Sequence, residues 1–251
     1  MKQAPSSGDE LLEHALAFEV ELTESKESIA PGFPWYPYGS MNNFVHLRDT
    51  FNRFPLTSLM SDDKRVLDVG AADGDLAFFL ESLGIGVDIV DYPPTNYNGL
   101  EGARKLKQVL GSEVGIHESD LDSQFSLPDQ RYGLVFLLGI LYHLKNPYFA
   151  LERFAEASDY MLVSTRVARF DSVGLEIRDS SVAYLLGPDE CNNDPTNFWI
   201  FSEAGLMKLF SRTGWEVLDY RTVGDTHTSN PSDMERDERA FALLGSARRL
   251  T

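Results

Sequence analysis

A single cysteine, Cys191, stands among 251 residues, so the chain can form no internal disulfide and assemble no thiolate cluster. That suits a reducing, cytoplasmic compartment. The five histidines, His14, His46, His117, His143 and His227, show no paired ligand spacing, and no metal is expected. Basic residues are scarce as well: 22 Lys and Arg against 39 Asp and Glu leave a net charge of -17, which disfavours nucleic acid as a partner. No apolar run approaches the roughly twenty residues of a membrane span, and the opening Met1 to Glu10 lacks the basic flank and apolar block of a signal peptide. A soluble protein without a membrane partner is expected. No internal repeat or low-complexity tract is present, and nothing in the pattern fixes an oligomeric state.

What is present is ample apolar material, 43% of residues, enough for one cored domain with a decorated edge. Gly8 to Ser25 reads as an acidic amphipathic helix with Leu11, Leu12, Ala15, Phe18 and Leu22 on its apolar face. A proline- and glycine-rich break, Ser25 to Gly39, follows, then a helix over Asn43 to Phe54 closed by Pro55. Residues 1–63 are therefore expected to form an N-terminal helical cap, and residues 64–251 the main domain. Apolar strands at Arg65 to Val69, Gly86 to Val90, Val114 to Glu118, Leu134 to Leu138 and Tyr160 to Thr165 alternate with helices, the pattern of a parallel α/β sheet. An irregular insertion spans 166–196. Ser202 can cap the next helix, and Trp215 to Thr222 with Ala240 to Ala247 read as a final hairpin-like strand pair around an exposed acidic loop. Arg48, Arg53, Lys64 and Arg65, like Arg104, Lys105 and Lys107, read as solvated charge.

The most informative stretch is Val66-Leu67-Asp68-Val69-Gly70-Ala71-Ala72-Asp73-Gly74-Asp75-Leu76, where an apolar strand enters a glycine turn and then a helix. Such a turn cradles a nucleotide: Gly70 permits the sharp bend, and Gly74 is expected to clear room for a bound group at the helix start. Asp68, Asp73 and Asp75 would repel a pyrophosphate but not a cationic nucleoside. The spacing Gly70-x-x-x-Gly74 also departs from G-x-G-x-x-G. Roughly twenty residues on, a carboxylate at the end of the second strand is placed for ribose hydroxyls. Asp88 competes for that role, but Asp91 stands at the strand's carboxyl end. Asp120, after the third strand, is either an acceptor for an adenine amino group or a turn former.

These residues resemble the class I S-adenosylmethionine-dependent methyltransferases. From about Gly32 to Asp225 the chain is most similar to the branch containing the tRNA wobble-uridine carboxymethyltransferase, through Gly32-Phe33 with Tyr38-Gly39, Asp68-Val69-Gly70, Asp91, the run Gly139-Ile140-Leu141-Tyr142-His143-Leu144-Lys145-Asn146-Pro147, and Asn197-Phe198-Trp199-Ile200. The resemblance implies a Rossmann-like seven-stranded sheet with helices on both faces, and S-adenosyl-L-methionine as cofactor. It assigns cofactor contacts to Asp68, Gly70, Ala71, Gly74, Asp91, Tyr92, Asp120, Leu121, Gly139 and Tyr38. Two departures stand out. Ala30-Pro31 occupies the place where carboxymethyl-transferring enzymes carry a lysine for the cofactor's extra carboxylate, which points to the ordinary methyl donor. Ala71-Ala72-Asp73 replaces the usual turn but stays small enough to admit a ligand.

Methyl transfer asks mainly for alignment, exclusion of water and, where needed, removal of a proton. Tyr142 and His143 follow the fourth strand; His143 titrates near neutrality and is the candidate base, although a histidine there also serves to bond backbone at a helix start. Phe33-Pro34-Trp35-Tyr36-Pro37-Tyr38 is a stiff aromatic loop, expected either as a lid or as a packing cluster, with Trp35 and Tyr36 beside the acceptor. Phe198 to Phe201 reads as core. Arg166, Arg169, Glu176 and Arg178 in the insertion are candidates to line a polar acceptor site, with surface solvation as the default reading for all four. The leading expectation is a methyltransferase acting on a small-molecule acceptor. The others are a tRNA wobble-uridine methyl- or carboxymethyltransferase and a non-catalytic adenosyl-cofactor-binding regulator.

Overall fold

Ser7 opens the first helix by accepting the Glu10 amide, and α1 then runs over Gly8–Ile29, one turn beyond the expected end at Ser25. The extension has a local cause, because Ser25 bonds back to the Glu21 carbonyl rather than breaking the helix, and Lys26 is buried in the last turn. The computed structural model describes residues 5–60, 64–127, 131–191 and 194–248; the expected cap boundary at residue 63 lies outside them. The chain groups into two compact units, one of Met1–Asp120 with Phe125–Phe136 and one of Leu121–Gln124 with Leu137–Thr251.

In the first unit α1 crosses α2 (Asn43–Arg53) so closely that a Cβ on Gly8 would stand 1.9 Å from the Arg48 carbonyl oxygen. The apolar face of α1 is buried at Leu11, Ala15 and Leu22. Beyond the helices come β1 (Val66–Val69), α3 (Asp75–Ser82), β2 (Val87–Asp91), α4 (Glu101–Leu110), β3 (Gly115–Glu118) and β4 (Tyr132–Leu138). Strand order is β3-β2-β1-β4 with all pairings parallel, as the alternation of strands and helices predicts. β1 and the first four residues of β2 are wholly buried, which accounts for their nearly unbroken apolar sequence.

The second unit carries α5 (Pro147–Ala157), β5 (Ser158–Val167), β6 (Ala183–Leu185), β7 (Trp199–Phe201), α6 (Glu203–Arg212), β8 (Trp215–Gly224) and β9 (Glu238–Ser246). Asn146 caps α5 through the Phe149 amide, and Ser202 caps α6 through the Gly205 amide as expected. β9 runs antiparallel to both β5 and β8, so the expected terminal pair forms. The stretch expected to be irregular holds more order than its sequence suggests. β6 pairs antiparallel with β7, β7 meets β5 at Val167 and Phe201, and Ala168, Ile177, Leu186, Cys191 and Ile200 form a small core. The described residues therefore hold nine strands rather than seven, the two additions being three residues each. The whole is an α/β fold with a mixed sheet flanked by helices.

Candidate functional site

The turn after β1 is built on positive φ at Gly70 (67°), Ala72 (54°) and Gly74 (84°). The Gly70 amide donates to the Val90 carbonyl at 2.9 Å, which ties the turn to the end of β2. Gly74 is required by the fold itself. A Cβ there would lie 2.9 Å from both Ile89 Cδ1 and Phe78 Cε2, so the missing side chain makes room for the protein's own core. Asp91 ends β2, where it accepts from the Ala72 amide (3.1 Å), the Tyr92 amide (2.7 Å) and Asn96 Nδ2 (2.9 Å). Burial raises its pKa against the pull of those donors. The rival, Asp88, is committed elsewhere, to Arg65 at 2.8 Å and the Tyr132 hydroxyl at 3.1 Å. Burial would raise Asp88, but the Arg65 guanidinium outweighs it and holds the carboxyl below its usual range.

The three acids of the turn have separate fates. Asp68 is fully buried with Oδ2 unpartnered, and burial, then the charges of Asp91 and Asp75, push its pKa up to about 8 against the opposing Ala77 amide. Asp73, 1% exposed, accepts from Lys26 Nζ (3.0 Å), the Tyr36 amide (2.8 Å) and Asn98 Nδ2 (2.7 Å). Asp75 takes the same lysine at 2.8 Å, and burial raises its pKa against that ion pair. The expected repulsion of phosphate by three free carboxylates is thus reduced, since burial disfavours charge on Asp68 and the other two share a cation. A group with a positive end fits this turn, because a buried carboxyl oxygen without a donor is costly unless a ligand supplies one.

The aromatic segment is clamped to the turn by Tyr36 and by Asn98, whose amide also reaches the Pro34 carbonyl at 3.2 Å. Phe33 and Trp35 meet edge to face at 4.6 Å, and Lys26 lies 5.5 Å from the Trp35 ring centre. Tyr36 contacts Tyr38 and Tyr97, while Tyr38 remains 71% exposed, more open than a stiff aromatic loop suggests. Tyr92 and Asp120 are half-buried.

In the second unit Leu121 is buried, and Gly139 has φ 76° with its amide bonded to the Ser164 carbonyl. Leu141 to His143 form one 3₁₀ turn. The Tyr142 carbonyl accepts the Phe198 amide, and its ring lies 4.3 Å from that of His143. His143 Nδ1 stands 3.0 Å from both the carbonyl and the hydroxyl of Thr196, so the backbone-bonding role is present; burial lowers its pKa. Arg166 is buried rather than solvated. It pairs with Asp237 at 2.5 Å and bonds Cys191 Sγ, while Arg169 forms a two-pronged pair with Glu238. Lys26, Asn96 and Asn98 were not legible as site residues. Among the described residues no group of three or more His, Cys, Asp or Glu is placed to hold a metal ion, and no helix is long and apolar enough to cross a membrane.

Residues 41–220 match the family model described as a methyltransferase domain. The chain belongs to that methyltransferase family. Solved structures share the fold of this methyltransferase domain at low identity. The N-terminal domain of EvdMO1 with SAH bound is 20% identical, with a TM-score of 0.60 over 91% of this chain and 97% of that one. The [4+2]-cyclase SpnF is 14% identical, with a TM-score of 0.58 over 97% and 98%. A putative methyltransferase from Bacillus halodurans is 13% identical, with a TM-score of 0.53 over 75% and 94%. No curated protein matches the sequence. None of these likenesses singles out the wobble-uridine branch.

Proposed function

We propose that the chain is an S-adenosylmethionine-dependent methyltransferase acting on a small-molecule acceptor. The observation that carries the reading is the buried Asp68 carboxyl, whose Oδ2 has no donor, in the strand that enters the glycine turn beside a strand that ends on Asp91. When bound, S-adenosylmethionine supplies an electrophilic methyl group on a cationic sulfur. In the first unit Asp68 would face its positive end, Asp91 would hold the ribose hydroxyls, and Asp120 would receive the adenine amino group. Gly70 and Ala71 keep the turn small enough to admit it. In the second unit His143 accepts the acceptor's proton, and Tyr142 orients the acceptor. Residues 1–63 act as the cap that excludes water. The fold of the [4+2]-cyclase SpnF shows why such a reading rests on the site and not on the architecture.

Two observations support the choice of donor and acceptor. Lys26, the cation that the fold brings to the turn, is taken by Asp73 and Asp75, leaving it committed when an extra cofactor carboxylate would need it. Four basic side chains of the first unit are likewise engaged within it: Arg65 with Asp88, Arg104 with Glu101 and Glu118, Lys105 over the Phe33 ring, Lys107 on the Val114 carbonyl. With a net charge of -17 this leaves little to attract a phosphate backbone. Methyl transfer from labelled S-adenosylmethionine to a panel of small nucleophiles, with tRNA alongside at physiological salt, tests the proposal. Labelled small product supports it; tRNA labelling at that salt would move the reading to nucleic acid, and tight cofactor binding with no product from any acceptor would mark a regulator.

A further inference from the structure

The indole nitrogen of Trp35 is buried and has no hydrogen-bond partner among the described residues. A buried tryptophan N–H ordinarily finds an acceptor, so an orphan of this kind marks a place where a ligand or an ordered water belongs. The ring is held firmly. On one side of it the Pro34 carbonyl accepts from Asn98, on the other the Tyr36 amide donates to Asp73, and its faces and edge meet Phe33 and Lys26. A donor fixed this well needs little reorganisation to bind.

The same turn also leaves a buried acceptor unsatisfied, Asp68 Oδ2, whose charge is coupled to Asp75 and Asp91. Asp75 Oδ1 also lacks a hydrogen bond, but Lys26 lies 2.8 Å from it, so the donor at Trp35 and the acceptor at Asp68 match a zwitterion, which presents a carboxylate to the first and an ammonium to the second and adds no net charge. Lys26 would be the obvious partner for a carboxylate, but two aspartates already hold it. We propose that the Trp35 indole N–H holds the α-carboxylate of the cofactor's amino-acid end. The inference deepens the reading of the site given above and rests on it. It moves Trp35 from the acceptor, where the sequence placed it, to the methyl donor.

The experiment compares two probes that share the nucleoside and the sulfur: S-adenosylhomocysteine, which keeps the amino-acid end, and 5′-methylthioadenosine, which lacks it. Calorimetric titration of the full chain is expected to show that Trp35→Phe weakens S-adenosylhomocysteine about tenfold while leaving 5′-methylthioadenosine within about twofold, since one bond to a charged group is lost and the packing against Phe33 is kept. Equal weakening of both probes, or an unchanged affinity for S-adenosylhomocysteine, would overturn the proposal. If the variant does not fold, the wild-type indole N–H resonance of Trp35, assigned by elimination with Trp199→Phe and Trp215→Phe, gives the answer. It should move downfield with S-adenosylhomocysteine and stay with 5′-methylthioadenosine, and the same movement with both would overturn the assignment. Failure of wild type to bind either probe would overturn the underlying reading of the site, a result distinct from binding without discrimination at Trp35.

Discussion

Lys26 and Asp73, 47 residues apart in the chain, meet at 3.0 Å with side chains only 10% and 1% exposed. The last turn of α1 is thereby fastened to the glycine turn, and with it the aromatic segment that follows. Removing one partner of a buried pair leaves an uncompensated charge, and here it would leave two carboxylates. Lys26→Met should therefore destabilise the fold by about 3 to 5 kcal/mol in urea unfolding, and adding Asp73→Asn and Asp75→Asn should recover much of the loss. A Lys26→Met protein within about 1 kcal/mol of wild type would show that the contact carries little.

Asp68 ties stability to pH. Its carboxyl titrates at about 8 in the folded chain against 3.8 ordinarily, so between those values the native state holds a proton that the unfolded chain has released. Stability conferred by that group is complete below pH 4 and is lost as pH rises through 8, with a slope of up to about 1.4 kcal/mol per pH unit. Unfolding measured from pH 5 to 8 should show Asp68→Asn losing this part of the slope. Parallel slopes in the two proteins would place the titration elsewhere.

Gly74 combines a φ of 84° with the 2.9 Å approach of Ile89 and Phe78. Gly74→Ala should cost about 1 to 3 kcal/mol, and trimming Ile89 to Val should not restore it, because the backbone strain remains. Full rescue by Ile89→Val would mean that crowding alone decides the position.

The strand, turn and helix from Val66 to Ser82 were legible because the sequence changes from an apolar run to a glycine turn and then to a helical period within 17 residues. Asp91 was legible from its place at a strand end. The Lys26 pairing was not, since Lys26 falls in the break read after Ser25, and its partners lie far along the chain. β6 and β7 were missed because three residues carry no measurable period. The burial of Arg166 was not legible either: solvation is the default reading of an arginine, and only the fold brings Asp237 and Cys191 to it.

His143 is proposed to act in its neutral form, and burial lowers its pKa from 6.5. The midpoint of the decline in turnover as pH falls should therefore lie below 6.5. His143→Gln should reduce turnover roughly a hundredfold at unchanged cofactor affinity. A decline centred above pH 7, or a variant with full activity, would remove His143 from the role of base.

The central claim, that the turn after β1 and the end of β2 hold an adenosyl cofactor, is tested most directly by titrating S-adenosylhomocysteine into wild type and Asp91→Ala at neutral pH. Wild type is predicted to bind at a one-to-one ratio, and Asp91→Ala to bind at least about tenfold more weakly, the loss of a hydrogen bond to a charged group being worth about 1.5 to 3 kcal/mol. Equal affinity in the two proteins, or no binding to wild type, would contradict it.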